Sequence, residues 1–315
     1  MDAEEPVIET RGLTKRYGTG VLAVVDLRID VRRGEVYGFL GPNGAGKTTT
    51  LRMLVGLIRP TAGTARVLGR DPGSPNALAR IGSLVETPAF YPYLSGRDNL
   101  RVVARFCSVP ESRINATLDE VGLLSRAGHR FGTYSLGMRQ RLGVAAALIK
   151  EPEVLILDEP TGGLDPQGMV EMRELILSLA RGNRTVMLSS HLLGEVEQIC
   201  SRVGVIQGGR LVAEGTLAEL RGDGHILVRA KPAWYALKVL TDVLGDDAIA
   251  ERDGMFLLRT DPGRAAEINA RLVSAGVSVS ELRPSERSLE EIYLQLTGGE
   301  REVAAAPLAP PPAQA

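Results

Sequence analysis

The glycine-rich segment GPNGAGKTTT, at residues 41–50, is the part of the sequence with the clearest chemical meaning. It fits the pattern G-x-x-x-x-G-K-[ST]. Glycines allow backbone N–H groups to converge on phosphate oxygens, because a Cβ would obstruct that approach. In such loops the lysine reaches the β- and γ-phosphates, and the following hydroxyl is a ligand for Mg²⁺. The predicted nucleotide contacts are Gly41, Pro42, Asn43, Gly44, Ala45, Gly46, Lys47, Thr48 and Thr49.

The residues on either side of this loop support the same interpretation. The apolar run VYGFL precedes the loop, and TTLRMLVGLI follows it with helical periodicity. A strand before and a helix after the loop place the helix N-terminus, with its positive potential, at the phosphates. A glycine-rich turn can match the pattern by chance, but rarely in this context, so the segment predicts a nucleotide site.

Two carboxylates and a histidine follow other buried runs farther along the chain. VLILDEP, at 154–160, ends an apolar run with Asp158 and Glu159, 111 residues after Lys47. A carboxylate that ends a strand beside a phosphate loop is a usual Mg²⁺ ligand, and Asp158 is predicted to have this role. Glu159 is the next side chain, and we expect it to be the general base that polarises the attacking water. His191 ends VMLSSH and is predicted to contact the γ-phosphate, although a lone histidine is more often structural.

Glu86 is the one charged side chain in the apolar and aromatic stretch IGSLVETPAFYPYL, at 81–94. It follows the strand-like run IGSLV. A carboxylate at this position is either a solvated loop residue or a group with a chemical role. The stretch itself leaves both interpretations open.

Composition restricts the class of protein. The 315 residues are 44% hydrophobic and 24% charged with a net charge of −1, which is typical of a globular chain with room for two domains. The lack of a basic excess argues against nucleic-acid binding. Cys107 and Cys200 form no CxxC or Cys/His cluster, which argues against zinc and fits a reducing cytosol. The sequence predicts neither a signal peptide nor a membrane span, so a membrane role would need a partner.

Short apolar runs alternate with helical stretches over residues 1–222, which is the pattern of an α/β fold. VLIL and TVMLS have the composition of parallel strands buried on both faces. Strand signals vanish before VLIL, so a helical insert is predicted at about 87–150. The predicted strands are Val7–Leu13, Leu22–Val31, Val36–Leu40, Thr64–Val67, Val154–Leu157, Thr185–Ser189 and Val203–Ile206.

Residues 223–298 differ in pattern and predict a small, separate α+β domain. HILVRA, WYALKVLTDVL, AIAE, MFLLRT, AAEINARLVSAG and VSVSELR follow each other as β-α-β-β-α-β. SLEEIYLQLTG then predicts an amphipathic helix, which either packs on its own domain or contacts a partner. The residues on its apolar face are Leu289, Ile292, Tyr293 and Leu296. The Ala/Pro-rich residues 299–315 are predicted to be disordered.

YSLGMRQRL, at 134–142, resembles the signature motif of ATP-binding cassette proteins, which is usually written LSGGQ followed by a basic residue, Gln and Arg. It begins 17 residues before EPEVLILDEP, a spacing similar to that of the family. TGGLDP at 161–166 resembles the D-loop, SSH at 189–191 the switch histidine, and RYG at 16–18 the adenine-stacking aromatic. These ordered matches identify the region up to about residue 220 as a cassette with the P-loop NTPase fold.

This resemblance implies a mixed sheet core with antiparallel N-terminal strands, ATP and Mg²⁺ as ligands, and ATP hydrolysis. It implies that Tyr17 stacks on adenine and that Asp165, in the D-loop, lies at the nucleotide. In the family the signature segment covers the γ-phosphate of a second cassette, so Ser135 and Gly137 imply a homodimer with two ATP molecules. Serine is also a good helix N-cap. The two departures from the signature are Leu136 and Met138.

The resemblance also bears on Glu86. In the family, the segment between the phosphate-loop arm and the helical insert carries a glutamine that reaches Mg²⁺ and the attacking water, and its loop touches the permease. No glutamine occurs here between Lys47 and Arg139. Glu86 occupies the corresponding place and keeps an oxygen ligand for a hard cation, but it adds negative charge beside Asp158 and Glu159.

The kind of cassette follows from the architecture and from the C-terminal segment. Translation-type members resemble two fused cassettes, and chromosome-type members have long heptad arms for which this chain has no room. SLEEIYLQLTGGE resembles the end of export ATPases of the bacitracin and daunorubicin type. That implies a drug-, antibiotic- or lipid-like substrate, a separate six-helix permease and a place on the cytoplasmic side of the membrane. The alternatives are an importer, a regulatory or translation-linked cassette, and a P-loop kinase or GTPase.

Overall fold

The computed structural model describes residues 6–18, 20–86, 89–182, 184–221, 224–252, 254–285 and 288–296. Two compact units make up the chain, and they divide between Leu217 and Ala218. The predicted tail at 299–315 lies outside the described residues. Within the described ranges, no helix is both long enough and apolar enough to cross a membrane.

The first unit is a mixed α/β structure, as its sequence predicts. Its strands are β1 (Ile8–Tyr17), β2 (Val21–Leu27), β3 (Asp30–Val31), β4 (Val36–Leu40), β5 (Ala62–Val67), β6 (Ile81–Leu84), β7 (Val154–Asp158), β8 (Thr185–Ser190), β9 (Arg202–Gln207) and β10 (Arg210–Thr216). Its helices are α1 (Lys47–Leu54), α2 (Pro75–Leu78), α3 (Gly96–Phe106), α4 (Ser112–Glu120), α5 (Leu136–Leu148), α6 (Pro166–Ala180) and α7 (Leu193–Ile199), while α8 (Leu217–Arg221) spans the boundary between the units.

A six-stranded sheet in the order β10-β9-β4-β8-β7-β6 forms the centre of this unit. All its pairs are parallel except the edge pair of β9 with β10. Every residue of β4 and β8 is buried, in keeping with their continuous apolar character. Leu40 is in register with Ser190, Asp158 with Ser189, and Leu84 with Leu157. The predicted site residues therefore follow the carboxyl ends of neighbouring parallel strands, on one side of the sheet.

A second sheet in this unit is built on β1, which pairs antiparallel with β2, β3 and β5. The prediction of one continuous strand over Leu22–Val31 is wrong, because β2 ends at Leu27 and β3 starts at Asp30. The hydroxyl of the buried Thr10 donates to the Leu27 carbonyl and accepts from the Ile29 amide, each at 3.0 Å. A side chain thus satisfies backbone groups where the strand is interrupted.

The predicted helical insert lies between β6 and β7 and contains α3, α4 and α5. Ser95 accepts a hydrogen bond from the Asp98 amide at the start of α3. Ser135 accepts one from the Met138 amide at the start of α5. The N-cap role predicted for Ser135 is therefore confirmed, and it fixes where the signature helix begins.

The second unit has the predicted β-α-β-β-α-β order. Its elements are β11 (His225–Lys231), α9 (Ala233–Leu244), β12 (Ile249–Arg252), β13 (Met255–Arg259), α10 (Ala265–Ser274), β14 (Ser278–Ser285) and α11 (Leu289–Leu296). The sheet is antiparallel with the order β12-β13-β11-β14. Leu240 of α9 and Leu272 of α10 share a buried cluster with Phe256 and Leu258 of the sheet. Of the apolar face predicted for the last helix, Leu289 and Ile292 are buried.

Candidate functional site

The loop after β4 has a backbone that only glycine fits at two positions. A Cβ on Gly41 would lie 2.3 Å from the Ile206 carbonyl oxygen. A Cβ on Gly46 would lie 2.4 Å from the Ala23 carbonyl oxygen, and the φ of Gly46 is +109°. Gly46 is also the N-cap of α1, which begins at Lys47. The two glycines therefore let the loop pack closely against the backbone of β9 and β2. The loop ends at a helix N-terminus, and a helix N-terminus is a geometry that binds phosphate.

Lys47 is buried, and three oxygen atoms lie near its ammonium. Nζ donates to the carbonyl oxygens of Gly41 at 2.6 Å and Pro42 at 3.3 Å. It also lies 3.1 Å from Oε1 of Glu159. The lysine thus crosses the loop and meets the carboxylate that the sequence predicts as the general base.

Ser189 contacts both Asp158, the last residue of β7, and Glu159, the residue after it. Its hydroxyl donates to Oδ1 of Asp158 at 2.5 Å and accepts from the amide of Glu159 at 3.0 Å. Ser189 is fully buried and is the second-last residue of the neighbouring strand β8, where it is in register with Asp158. Ser189 is not among the site residues that the sequence predicts. Its position opposite Asp158 is evident only from the pairing of β7 with β8.

Glu159 stands on a backbone conformation that L-residues rarely adopt. Its φ is +46°, and its carbonyl oxygen accepts from the amide of Gly162 at 3.0 Å. The second carboxylate oxygen, Oε2, lies 2.8 Å from Nδ1 of His191. Left-handed backbone at a non-glycine residue costs about 1–3 kcal/mol and concentrates at functional sites. Lys47, Glu159 and His191 therefore form one connected group across the ends of β4, β7 and β8.

Glu86 follows the carboxyl end of β6, on the same side of the sheet as Asp158 and Glu159. Its partner is one that the sequence did not indicate. Glu86 follows β6 by two residues, has a φ of +75°, and forms an ion pair with Arg52 through Oε1 and Nη2. Arg52 lies on α1, four residues after Thr48. Side chains four apart share a helix face, so Glu86 contacts the face that carries the predicted metal-binding hydroxyl.

The signature residues form a second group with the segment at 161–166. Leu136 is 47% exposed, and its Cδ2 lies 3.4 Å from the position of a Cβ on Gly163. A Cβ on Gly137 would lie 3.9 Å from Cδ2 of Leu164. Asp165 accepts from the amide of Gly168 at 2.9 Å and so caps α6. The predicted contacts to a second nucleotide therefore lie side by side.

Tyr17 lies at the end of β1, where β1 pairs with β2. Its side chain is 38% exposed, and Nζ of Lys15 lies 5.2 Å from the ring centroid. β2 also supplies Ala23, whose carbonyl oxygen faces Gly46. An accessible ring thus stands on the hairpin that adjoins the phosphate loop.

These groups fit a nucleotide with a divalent cation. The loop ends at the N-terminus of α1, which suits phosphate oxygens, and Lys47 adds a cation there. The hydroxyl of Thr48 and the carboxylate of Asp158 are the oxygen ligands that hard cations prefer. The fold and this site together define a P-loop ATPase of the cassette type.

Comparison with known proteins leads to the family. Residues 24–162 match the ABC transporter family. The bacitracin transport ATP-binding protein BcrA of Bacillus licheniformis is 41% identical over 300 residues, which cover 93% of this chain and 98% of that protein. The daunorubicin resistance ATP-binding protein DrrA3 of Streptomyces coeruleorubidus is 38% identical over 313 residues, with 95% and 98% covered. The solved ATP-binding subunit of an ABC transporter has a TM-score of 0.61 at 28% identity and covers 68% of this chain and 92% of its own.

The chain belongs to the ABC transporter family. It is an ATP-binding subunit of that family and hence an ATPase, as its sequence predicted. This assignment favours the transporter interpretation over the translation-linked cassette, the kinase and the GTPase.

Proposed function

We propose that this chain is the ATPase subunit of an exporter for drug-like, antibiotic-like or lipid-like substrates. Support comes from the relatives named for bacitracin transport and daunorubicin resistance, which align over more than nine-tenths of the chain, including its second unit. The partner is a separate six-helix permease, and the chain acts at the cytoplasmic face of the membrane. Residues 1–222 form the cassette, and residues 223–298 form an accessory domain.

The main support for ATP hydrolysis is the connected group of Lys47, Glu159 and His191. The loop at 41–49 holds the phosphates, and Lys47 pairs with the β- and γ-oxygens. Phosphate would compete with Glu159 for the Lys47 ammonium, which releases the carboxylate to accept a proton from the attacking water. His191 contacts the same carboxylate and holds it in line.

Thr48, Asp158 and Glu86 are the proposed Mg²⁺ ligands. Bound there, the ion would neutralise charge that develops on the β- and γ-phosphate oxygens. Ser189 holds Asp158 for this role through its 2.5 Å hydrogen bond. Because the same hydroxyl accepts from the Glu159 amide, the metal ligand and the base keep a fixed relative position.

A homodimer completes the proposed site. Ser135 is the N-cap of the signature helix, whose Leu136 and Gly137 lie beside Gly163 and Leu164. In a dimer with two ATP molecules at its interface, the signature helix N-terminus and Asp165 of one subunit would face the phosphates bound by the other. Tyr17 would stack on adenine.

The test is reconstitution with the permease. Co-purification of the chain with a six-helix membrane protein, and ATP-dependent extrusion of bacitracin or daunorubicin from cells that express both, are the expected results. Lys47→Ala should abolish extrusion and weaken ATP binding, because it removes the phosphate-binding ammonium. Unchanged ATP affinity in that variant would remove the phosphate-loop assignment. ATP-dependent uptake of the substrate, rather than extrusion, would show that the complex is an importer and not an exporter.

A further inference from the structure

The ion pair between Glu86 and Arg52 joins two elements of the site. Glu86 follows β6, whose Leu84 is in register with Leu157, the residue before Asp158. Arg52 lies one turn after Thr48 on α1. The pair therefore connects the loop after β6, next to the end of the strand that carries Asp158, with the helix that carries Thr48.

Each carboxylate on this side of the sheet has its own partner. Asp158 accepts from Ser189 at 2.5 Å, and Glu159 lies 3.1 Å from Lys47. Glu86 is paired with Arg52. Like charges close together destabilise each other, so a third carboxylate here needs compensation. Arg52 supplies it with a side chain that, unlike Lys47, has no role in the phosphate loop.

Stability of the fold does not account for the pair. The side chains of Arg52 and Glu86 are 36% and 55% exposed, so water screens their attraction and the contribution to folding is small. The backbone of Glu86, at φ +75°, costs free energy by contrast. A strained residue in an exposed ion pair beside the site indicates a functional constraint.

We propose that Arg52 is a positioning residue that neutralises Glu86 and sets the affinity of the site for Mg²⁺. The guanidinium and the metal compete for the same carboxylate, so Arg52 keeps Glu86 from binding the ion too tightly. This inference rests on the proposed function, since it takes Glu86 as metal-facing. It explains how a glutamate can stand among the other carboxylates of the site.

The test is a double-mutant cycle on the full-length chain. Wild type, Arg52→Gln, Glu86→Gln and the double variant are titrated with MgCl₂ at a fixed concentration of adenylyl imidodiphosphate, and retained analogue is measured. Arg52→Gln should lower the half-saturating Mg²⁺ concentration by about three- to tenfold when Glu86 is present. In the Glu86→Gln background the same change should be less than about twofold. The difference should shrink as salt is raised.

Two controls separate the outcomes. Arg59→Gln removes an equal charge at an exposed position after the same helix, and it should leave the half-saturation unchanged. Arg52→Lys keeps the charge and should stay closer to wild type than Arg52→Gln. Suppose that analogue binding depends on Mg²⁺ as expected, but Arg52→Gln shifts the half-saturating Mg²⁺ concentration equally, or not at all, with and without Glu86. That result would overturn the role of Arg52 and leave the proposed metal site standing. Analogue binding by wild type that needs no Mg²⁺ contradicts the proposed metal site itself.

Discussion

Glu159 makes contacts on both carboxylate oxygens, with Lys47 on one side and His191 on the other. Its left-handed backbone directs the side chain between the ends of β4 and β8. In the proposed mechanism, phosphate binding would be coupled to release of the Glu159 carboxylate, because both would use the Lys47 ammonium. A side chain one residue earlier, Asp158, is instead held by Ser189 and keeps its place.

Substitution at Gly46 tests whether the loop requires a bare backbone. In Gly46→Ala the new Cβ would meet the Ala23 carbonyl 2.4 Å away, so the loop must shift. We expect loss of ATP binding, measured by equilibrium dialysis, with a stability loss of about 1–3 kcal/mol. Gly44→Ala is the matched control, because Gly44 also has a positive φ of +81° but has open space around it. Equal ATP affinity in both variants would contradict the steric explanation.

Glu86 can be tested by comparing a polar and an apolar replacement. Glu86→Gln keeps an oxygen ligand, and we expect it to retain ATPase activity within about tenfold. Glu86→Ala removes the ligand and the contact with Arg52, so substrate extrusion by the assembled transporter should fall. Extrusion at the wild-type rate in the alanine variant would favour the alternative interpretation, in which Glu86 is a solvated loop residue without a role in transport.

The sequence indicates those candidate site residues that belong to short local motifs. The loop glycines, Asp158 and Glu159 follow from short patterns beside apolar runs. The partnership of Glu86 with Arg52 did not follow, because it joins residues 34 positions apart on different elements. Ser189 was missed because a serine at the end of a buried strand reads as a neutral residue until the neighbouring strand is known.

At the scale of elements, α6 and α7 link two functional segments. α6 begins after Asp165, and α7 begins two residues after His191. Arg173 of α6 lies 2.9 Å from Oε1 of Glu195 on α7 and also hydrogen-bonds Gln198. The Arg173 and Glu195 side chains are only 19% and 12% exposed. One guanidinium therefore holds the short helix that follows the switch histidine.

Arg173→Met should destabilise the first unit. It leaves the Glu195 carboxylate in a poorly solvated place without its cation, a loss of about 1–3 kcal/mol. Urea unfolding followed by circular dichroism measures it. Arg105→Met is the control, since Arg105 is exposed and 3.5 Å from Glu111, and it should change stability by less than about 0.5 kcal/mol. Equal midpoints for the two variants would contradict a structural role for the Arg173 contact.

Element prediction succeeded where burial is uniform and failed where it is mixed. β4 was predicted at its observed bounds, and β7, β8 and β9 to within one residue at each end, because each has a continuous buried run of mostly apolar residues. β10 had no predicted counterpart, since RLVAEGT is a half-exposed edge strand with charges. The break between β2 and β3 depends on the Thr10 hydroxyl, which a local pattern does not reveal.

At the scale of the whole molecule, the proposed homodimer would bring two sets of predicted nucleotide contacts together. The first set is the phosphate loop with Glu159 and His191, and the second is the signature with the 161–166 segment. The two sets meet where the Gly162 amide donates to the Glu159 carbonyl oxygen. A second copy in the opposite orientation would bring each set against its complement. The sequence predicts this only through the family resemblance, because no single motif specifies an interface.

The central claim is that Glu159 is the base of an ATPase that closes as a dimer. Glu159→Gln is the most direct test, because it keeps the shape of the side chain and removes its basicity. With Mg²⁺ and ATP we expect turnover to fall by about 10²–10⁴-fold, while ATP still binds. Size-exclusion chromatography with light scattering should show an ATP-dependent dimer of this variant, and the monomer without ATP. Hydrolysis near the wild-type rate, or a monomer that persists with bound ATP, would contradict the account.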